Sequence, residues 1–126
     1  MIVADSSAWI AILADAPNRA AFEARIAEAE TVIVPTVVLY EVYKITKREH
    51  SAGMADLAAA RLRTHKLAAL TASIALVAAD ASLEHGLAMA DAIVYATALM
   101  HDATLVTGDV DFRELSGVEF IPLDDA

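Results

Sequence analysis

Five acidic residues stand where a single cation could hold them together: Asp5, Glu41, Asp91, Asp109 and Asp111. Asp5 ends the apolar run 2-IVA-4, and Asp91 follows 87-LAMA-90. Asp109 and Asp111 close the segment 105-LVTGDVDF-112, and Glu41 has four apolar residues before it and two after it in 37-VVLYEVYKI-45. Each alone has a plain explanation. Asp5 and Asp91 suit helix N-termini, as caps or partners of the helix dipole. Asp109 and Asp111 suit a turn at Gly108. Glu41 could pair with Lys44 or Arg48 on its own helical face, for a few tenths of a kcal/mol. Taken together they ask for more. Two carboxylates about 4 Å apart repel by about 4 kcal/mol in an effective dielectric near 20, so a shared cleft requires a counter-ion. Oxygen ligands in a chain without cysteine select a hard cation, Mg²⁺, with Mn²⁺ as a substitute. Such an ion acidifies water and neutralises charge on a phosphoryl group in transfer, which would serve phosphodiester hydrolysis.

The elements that must bring these acids together can be read from the pattern. Residues 2–4 form a buried strand, and Ser6 or Ser7 caps a helix to about Leu13. Pro17 starts a helix over 18–30, 31–34 is a strand stopped by Pro35, and Thr36 caps a helix to Arg48. Glu41 lies about a turn and a half from Thr36 and leans back toward that end. Ser51 opens a helix to about Lys66, 67–70 is a weak strand, and a helix from Thr71 to His85 is closed by Gly86. Asp91 opens the helix 92–102, 104–107 is a strong strand, and 118–123 is the last one. Alternation of strand and helix implies right-handed crossovers and a parallel sheet. The expected fold is a three-layer α/β/α sandwich forming a single domain over 1–126. Function in such sheets gathers beyond the carboxyl ends of the strands, where Asp5, Asp109 and Asp111 fall.

Composition narrows the partners. The chain has 126 residues and a net charge of −9, which argues against a generic nucleic-acid binder. Yet six of its nine Lys and Arg lie between 44 and 66: Lys44, Lys47, Arg48, Arg61, Arg63 and Lys66. This basic stretch is either a solvated helix pair or a guide for an RNA backbone, single-stranded RNA above all, with Lys44, Lys47 and Arg48 as candidate contacts. Trp9, Tyr40 and Tyr43 could stack on bases, but apolar packing is the safer expectation for all three. The four histidines read as surface or helix-end residues. A hydrophobic fraction of 58% and a mean hydropathy of +0.51 imply apolar surface covered by a partner. The opening MIVADSSAWI is not a signal peptide, and 67-LAALTASIALVAADASL-83 is too interrupted to span a bilayer. A soluble, cytoplasmic protein is expected.

The elements 3-VADSSAWI-10, 35-PTVVLYEVYK-44, 87-LAMADAIVYATA-98 and 105-LVTGDVDF-112, in this order, resemble the PIN-domain ribonucleases, and most closely the VapC-type toxins of toxin–antitoxin pairs. The likeness extends through 117-GVEFIPL-123. It implies a Mg²⁺-dependent endoribonuclease with one or two ions in an acidic pocket, cutting RNA by in-line attack of a metal-activated water to leave 5′-phosphate and 3′-hydroxyl ends. By motif, Asp5, Asp91 and Asp109 are metal-holding acids, and Glu41 ligates the ion or orients the water. Asp111 is a further ligand whose role varies in the family. Ser6 and Thr107 match supporting hydroxyl positions. The one small departure is Ala90, where the family often has proline before the acid. The resemblance also implies a cognate VapB-type antitoxin covering the pocket, and a homodimer.

Three rival readings share parts of this pattern. A haloacid-dehalogenase-like phosphotransfer enzyme also has Asp after its first strand, but it needs a second Asp two residues on, where this chain has Ser7. A response-regulator receiver wants a late lysine, and none follows Lys66. A catalytically inert PIN-like binding module has the same residue spacing as the enzyme.

Overall fold

The structure, a computed structural model, describes residues 1–123; the last three residues of the expected 1–126 domain lie outside the described residues. Five short strands form one parallel sheet: β1 (Ile2–Ala4), β2 (Val32–Pro35), β3 (Lys66–Ala68), β4 (Thr104–Thr107) and β5 (Val118–Phe120). Their spatial order is β3-β2-β1-β4-β5. β1 is central, with Ile2 opposite both Val32 and Thr104. Its three residues are buried, as are all four of β2, so these strands read as continuous apolar runs rather than alternating ones.

Six helices connect the strands: α1 (Ser6–Leu13), α2 (Arg19–Glu28), α3 (Thr36–Glu49), α4 (Ala52–Leu62), α5 (Ala72–His85) and α6 (Met89–Met100). A 3₁₀ turn at Val110–Phe112 follows β4. From β1 the chain steps outward to β2 and β3, then returns across the sheet to β4. The strand order therefore reverses between β1 and β4. With right-handed crossovers, α1–α4 cover one face and α5–α6 the other, giving the expected three layers. No helix among the described residues is long and apolar enough to cross a membrane.

Several boundaries differ from expectation for local reasons. Asp5, not a serine, caps α1: its Oδ1 accepts from Ala8 N at 3.2 Å. Pro35 belongs to β2 and is also the N-cap of α3, so Thr36 is the first helical residue. The expected strand at 67–70 is one residue earlier and shorter, the α4 helix stops at Leu62, and the final strand ends at Phe120 rather than 123. Asp91 does not open α6: the cap is Ala88, and Asp91 lies in the first turn. Gly86 ends α5 as expected, in the left-handed conformation at φ 69°.

α6 explains part of the high apolar content. Every residue from Ala92 to Ala98 is buried, so the helix is apolar all round, as a core helix is. α3 is amphipathic instead, burying Val38, Val42 and Thr46 at four-residue spacing. That stripe leaves Glu41 half-buried at its edge and Lys44, Lys47 and Arg48 exposed.

Candidate metal centre

The reversal between β1 and β4 is a topological switch point, where a parallel sheet opens a crevice at its carboxyl end. Asp5 leaves β1 and Asp109 leaves β4 at this crevice, with Asp5 N donating to Val106 O at 3.3 Å. Asp5 is only 4% exposed. Its Oδ1 accepts from Ser7 Oγ at 2.5 Å and from Ala8 N, and its Oδ2 accepts from Thr107 Oγ1 at 2.6 Å. Capping and site-building are therefore not alternatives here, since one carboxylate does both.

Thr107 and Ser7 carry the connection onward. Thr107 Oγ1 accepts from Asp109 N at 2.9 Å, and Ser7 Oγ accepts from Gly108 N at 2.9 Å. Asp109 Oδ1 in turn accepts from Asp111 N at 2.9 Å, which folds the 109–111 segment into its tight turn. A chain of hydroxyls and amides thus sets the 107–111 loop against α1, over a hundred residues away in sequence. Thr107 joins Asp5 Oδ2 to the Asp109 amide through its one hydroxyl. Ser7 was not among the expected site residues, yet it binds both Asp5 and the loop. The signal was faint: a hydroxyl two residues after the acid, indistinguishable in Asp-Ser-Ser from its neighbour Ser6. The Ser6 hydroxyl instead acts on Glu41, lowering its carboxyl against the effect of burial.

Asp91, Asp109 and Asp111 each offer a carboxylate oxygen, and these oxygens all lie within 4.8 Å of one another. Asp91 makes no side-chain hydrogen bond among the described residues, although it is largely covered. Asp5 and Glu41 fall outside that trio but within its electrostatic reach. Burial pushes the Asp91 carboxyl up to about 6, helped by Asp109, Glu41, Asp5 and Asp111 in that order. Burial likewise raises Glu41, against the Ser6 hydroxyl, with Asp5 and Asp109 raising it further and Lys44 lowering it. Asp5 is raised by burial against its three hydrogen bonds, with Asp109 adding to the rise. Glu41 forms no ion pair with Lys44 or Arg48 among the described residues, so its plain surface reading fails.

The donor set suits a divalent cation. Three carboxylate oxygens within 4.8 Å of one another are close enough for a single ion to gather them. Asp109 and Asp111 come from one loop and Asp91 from the facing helix start, so the arrangement is open on one side. That leaves room for water and a phosphate oxygen, as Mg²⁺ requires. Asp111, the acid with the least definite role in the sequence, belongs to the trio. Asp5 is enclosed and heavily hydrogen-bonded, which suits it to fixing the loop as much as to ligation.

The other expected positions are accounted for as follows. Trp9 is packed as expected, 1% exposed, with Nε1 donating to Ala4 O at 3.2 Å. Tyr40 is not: it is 59% exposed, because it lies opposite the buried Val38–Val42 stripe of α3. His50 and His101 cap helix ends and His85 ends α5, in line with expectation, while His65 lies beside Trp9.

The family model described as PIN domain matches residues 2–118. Among solved structures, a toxin–antitoxin complex from Klebsiella pneumoniae superposes with a TM-score of 0.80 at 23% identity, covering 100% of both chains. VapC20 of Mycobacterium tuberculosis, a sarcin–ricin loop cleaving toxin, gives 0.79 at 21% identity, covering 97% of this chain and 100% of that one. VapBC-1 from nontypeable Haemophilus influenzae gives 0.72 at 17% identity, covering 98% of each. By sequence, no curated protein matches. The match over 2–118 sets aside the haloacid-dehalogenase and receiver readings.

Proposed function

The chain belongs to the PIN-domain family, a family of nucleases, and from that premise we propose that it is a Mg²⁺-dependent endoribonuclease, the VapC-type toxin of a toxin–antitoxin pair. The observation that carries the reading is the convergence of Asp91, Asp109 and Asp111 within 4.8 Å, with Asp5 and Glu41 close enough to perturb them. Asp91, Asp109 and Asp111 hold the cation, with Asp5 behind them as a ligand or an anchor. Bound there, Mg²⁺ or Mn²⁺ supplies charge neutralisation at a phosphodiester and a more acidic water. Glu41 sits at the half-buried rim, its carboxyl raised above its ordinary value by burial, and accepts the proton of the attacking water or orients that water. Ser7 and Thr107 hold Asp5 and the 107–111 loop still while this happens.

An antitoxin partner and a homodimer belong to the same proposal. Support comes from large apolar side chains left on the surface, among them Leu83 at 87%, Met89 at 78%, Leu57 at 73% and Leu76 at 71% exposure. A solution mass near 13 kDa at micromolar concentration would count against the dimer.

The test is cleavage of a fluorescent RNA oligomer by purified, antitoxin-free protein. With Mg²⁺ the wild type cuts, leaving 5′-phosphate ends, and EDTA stops it. Asp91→Asn and Asp109→Asn each lower the rate by at least a hundredfold while the circular dichroism spectrum is unchanged. Undiminished cutting in EDTA would refute the metal step. No cutting at any divalent concentration would leave an inert binding module in its place.

A further inference from the structure

Of the ten residues of α2 only Phe22 is buried, yet the helix is held to the body through side chains on one face. Asn18, Phe22 and Arg25, spaced i, i+4 and i+7, all turn toward the exits of β4 and β5. Arg25 Nε donates to Glu119 Oε2 at 2.7 Å, and Phe22 Cζ stands 3.3 Å from where a Cβ of Gly108 would lie. Asn18 Nδ2 donates to Ile121 O at 3.4 Å, a partner 103 residues on. Asn18 breaks two local rules in doing so. It is the N-cap of α2, where asparagine ordinarily accepts from the helix's own amides, but its side chain makes no such bond. Its Oδ1 is buried with no partner among the described residues, and the residue is only 5% exposed. Turning the amide over would not help, because Oδ1 would then face Ile121 O, another acceptor. An unpaired buried acceptor costs stability, so a leucine of similar size would suit the position better on packing alone.

The amide closes a chain of bonds that ends at the acids. Ile121 O takes the Asn18 amide, while Ile121 N donates to Thr107 O at 2.8 Å. Thr107 is the residue whose hydroxyl joins Asp5 Oδ2 to the Asp109 amide. Asn18 Nδ2 also stands 3.6 Å from the Cβ position of Gly108, the next residue along. The 107–111 loop thus has hydroxyls on its acid side and the Asn18 amide behind it. Without that amide the Ile121 carbonyl is free to swing, and the Thr107 backbone bonded to the same residue is loosened with it.

We propose that Asn18 is a positioning residue of the metal centre. Acting through Ile121 and Thr107, it holds the 107–111 loop in register so that Asp109 and Asp111 meet Asp91, and it does so at a cost in stability. The inference rests on the nuclease reading and adds to it a residue from α2, remote from every acid of the site. The two roles open to a buried asparagine differ in sign. One that merely packs stabilises the fold, and its loss loosens the whole. One that positions is itself strained, and its loss loosens one loop while the rest holds.

The experiment follows amide hydrogen exchange of the full ¹⁵N-labelled chain in EDTA, together with its melting temperature. In Asn18→Leu the Gly108, Asp109 and Asp111 amides exchange faster than in wild type by about tenfold or more. The Tyr95 and Ala96 amides of α6 exchange no faster, and the melting temperature is equal or higher. Asn18→Ala, which brings no new bulk, shows the same loop-specific gain, so a leucine that fits badly does not decide the matter. With Mg²⁺ and the RNA oligomer, kcat of both variants falls by about tenfold or more while KM stays within about twofold. Unchanged exchange at the three loop amides in both variants overturns the proposal. So does a lower melting temperature with faster exchange in loop and α6 alike, the mark of plain packing. A loosened loop with kcat unchanged overturns it as well. A wild type that cuts no RNA defeats the nuclease reading instead, and the exchange contrast alone then upholds or overturns the hold of Asn18 on the loop.

Discussion

At the scale of single residues, the acids carry a cost that a bound cation would relieve, and pH exposes it. Asp91 is held at about 6 against an ordinary 3.8, and Asp5 and Glu41 are displaced in the same direction. A carboxyl raised by folding binds more protons folded than unfolded, so its favourable contribution is complete at low pH and disappears as pH climbs through the folded value. For Asp91 that window runs from about 4 to about 6. In EDTA, Asp91→Asn should therefore melt several degrees above wild type at pH 7, and most of the gap should close by pH 4.5. Thermal melts at the two pH values check this. A variant less stable than wild type at pH 7 would mean that Asp91 is stabilised by its surroundings rather than strained by them. The candidates themselves were visible in the sequence because each acid interrupts or ends an apolar run. What could not be read was which hydroxyl serves them. Ser6 and Ser7 are chemically equal in the sequence, and the bonds of Ser7 Oγ to Asp5 Oδ1 and Gly108 N distinguish them.

At the scale of elements, the 107–111 loop is fixed from two sides. In front, Ser7 and Thr107 bind it to Asp5. Behind, Gly108 lies against α2 and the chain leaving β5: a Cβ there would meet Ile121 O and Phe22 Cζ at 3.3 Å and Asn18 Nδ2 at 3.6 Å. Phe22 is fully buried, and Asn18 Nδ2 donates to Ile121 O at 3.4 Å, so neither side yields freely. Gly108→Ala should destabilise the fold by about 1 kcal/mol and, by shifting Asp109 a few tenths of an ångström, lower RNA cleavage at least tenfold. Gly53→Ala, in α4 with nothing within 4 Å, should instead leave activity unchanged and stability equal or higher by about 0.5 kcal/mol. Parallel melts and cleavage assays of the two variants check the contrast, and equal effects would contradict it. Strand and helix order were readable throughout, because buried parallel strands are apolar runs between amphipathic helices. The start of α6 was not, because Ala88 caps it with no side-chain signal and Asp91, two residues later, looks like a cap. The exposure of Tyr40 was missed for a related reason. An aromatic among valines looks buried until the Val38–Val42–Thr46 stripe assigns it to the other side.

At the scale of the whole molecule, charge is separated with a purpose. Acids gather at the switch point between β1 and β4, cations gather along α3 and α4, and Glu41 stands at the boundary. A net charge of −9 is compatible with a nucleic-acid substrate once a bound cation offsets the acids. The parallel topology makes this possible, since it delivers residues from positions 5 to 111 to one end of the sheet. The central claim is that this end holds a divalent cation. It is tested most directly by calorimetric titration of the EDTA-stripped, dialysed protein with Mn²⁺ at pH 7. The account predicts saturable binding of one or two ions that disappears in the Asp91→Asn, Asp109→Asn double variant. Saturable binding that survives in the double variant, or none in the wild type, would contradict it.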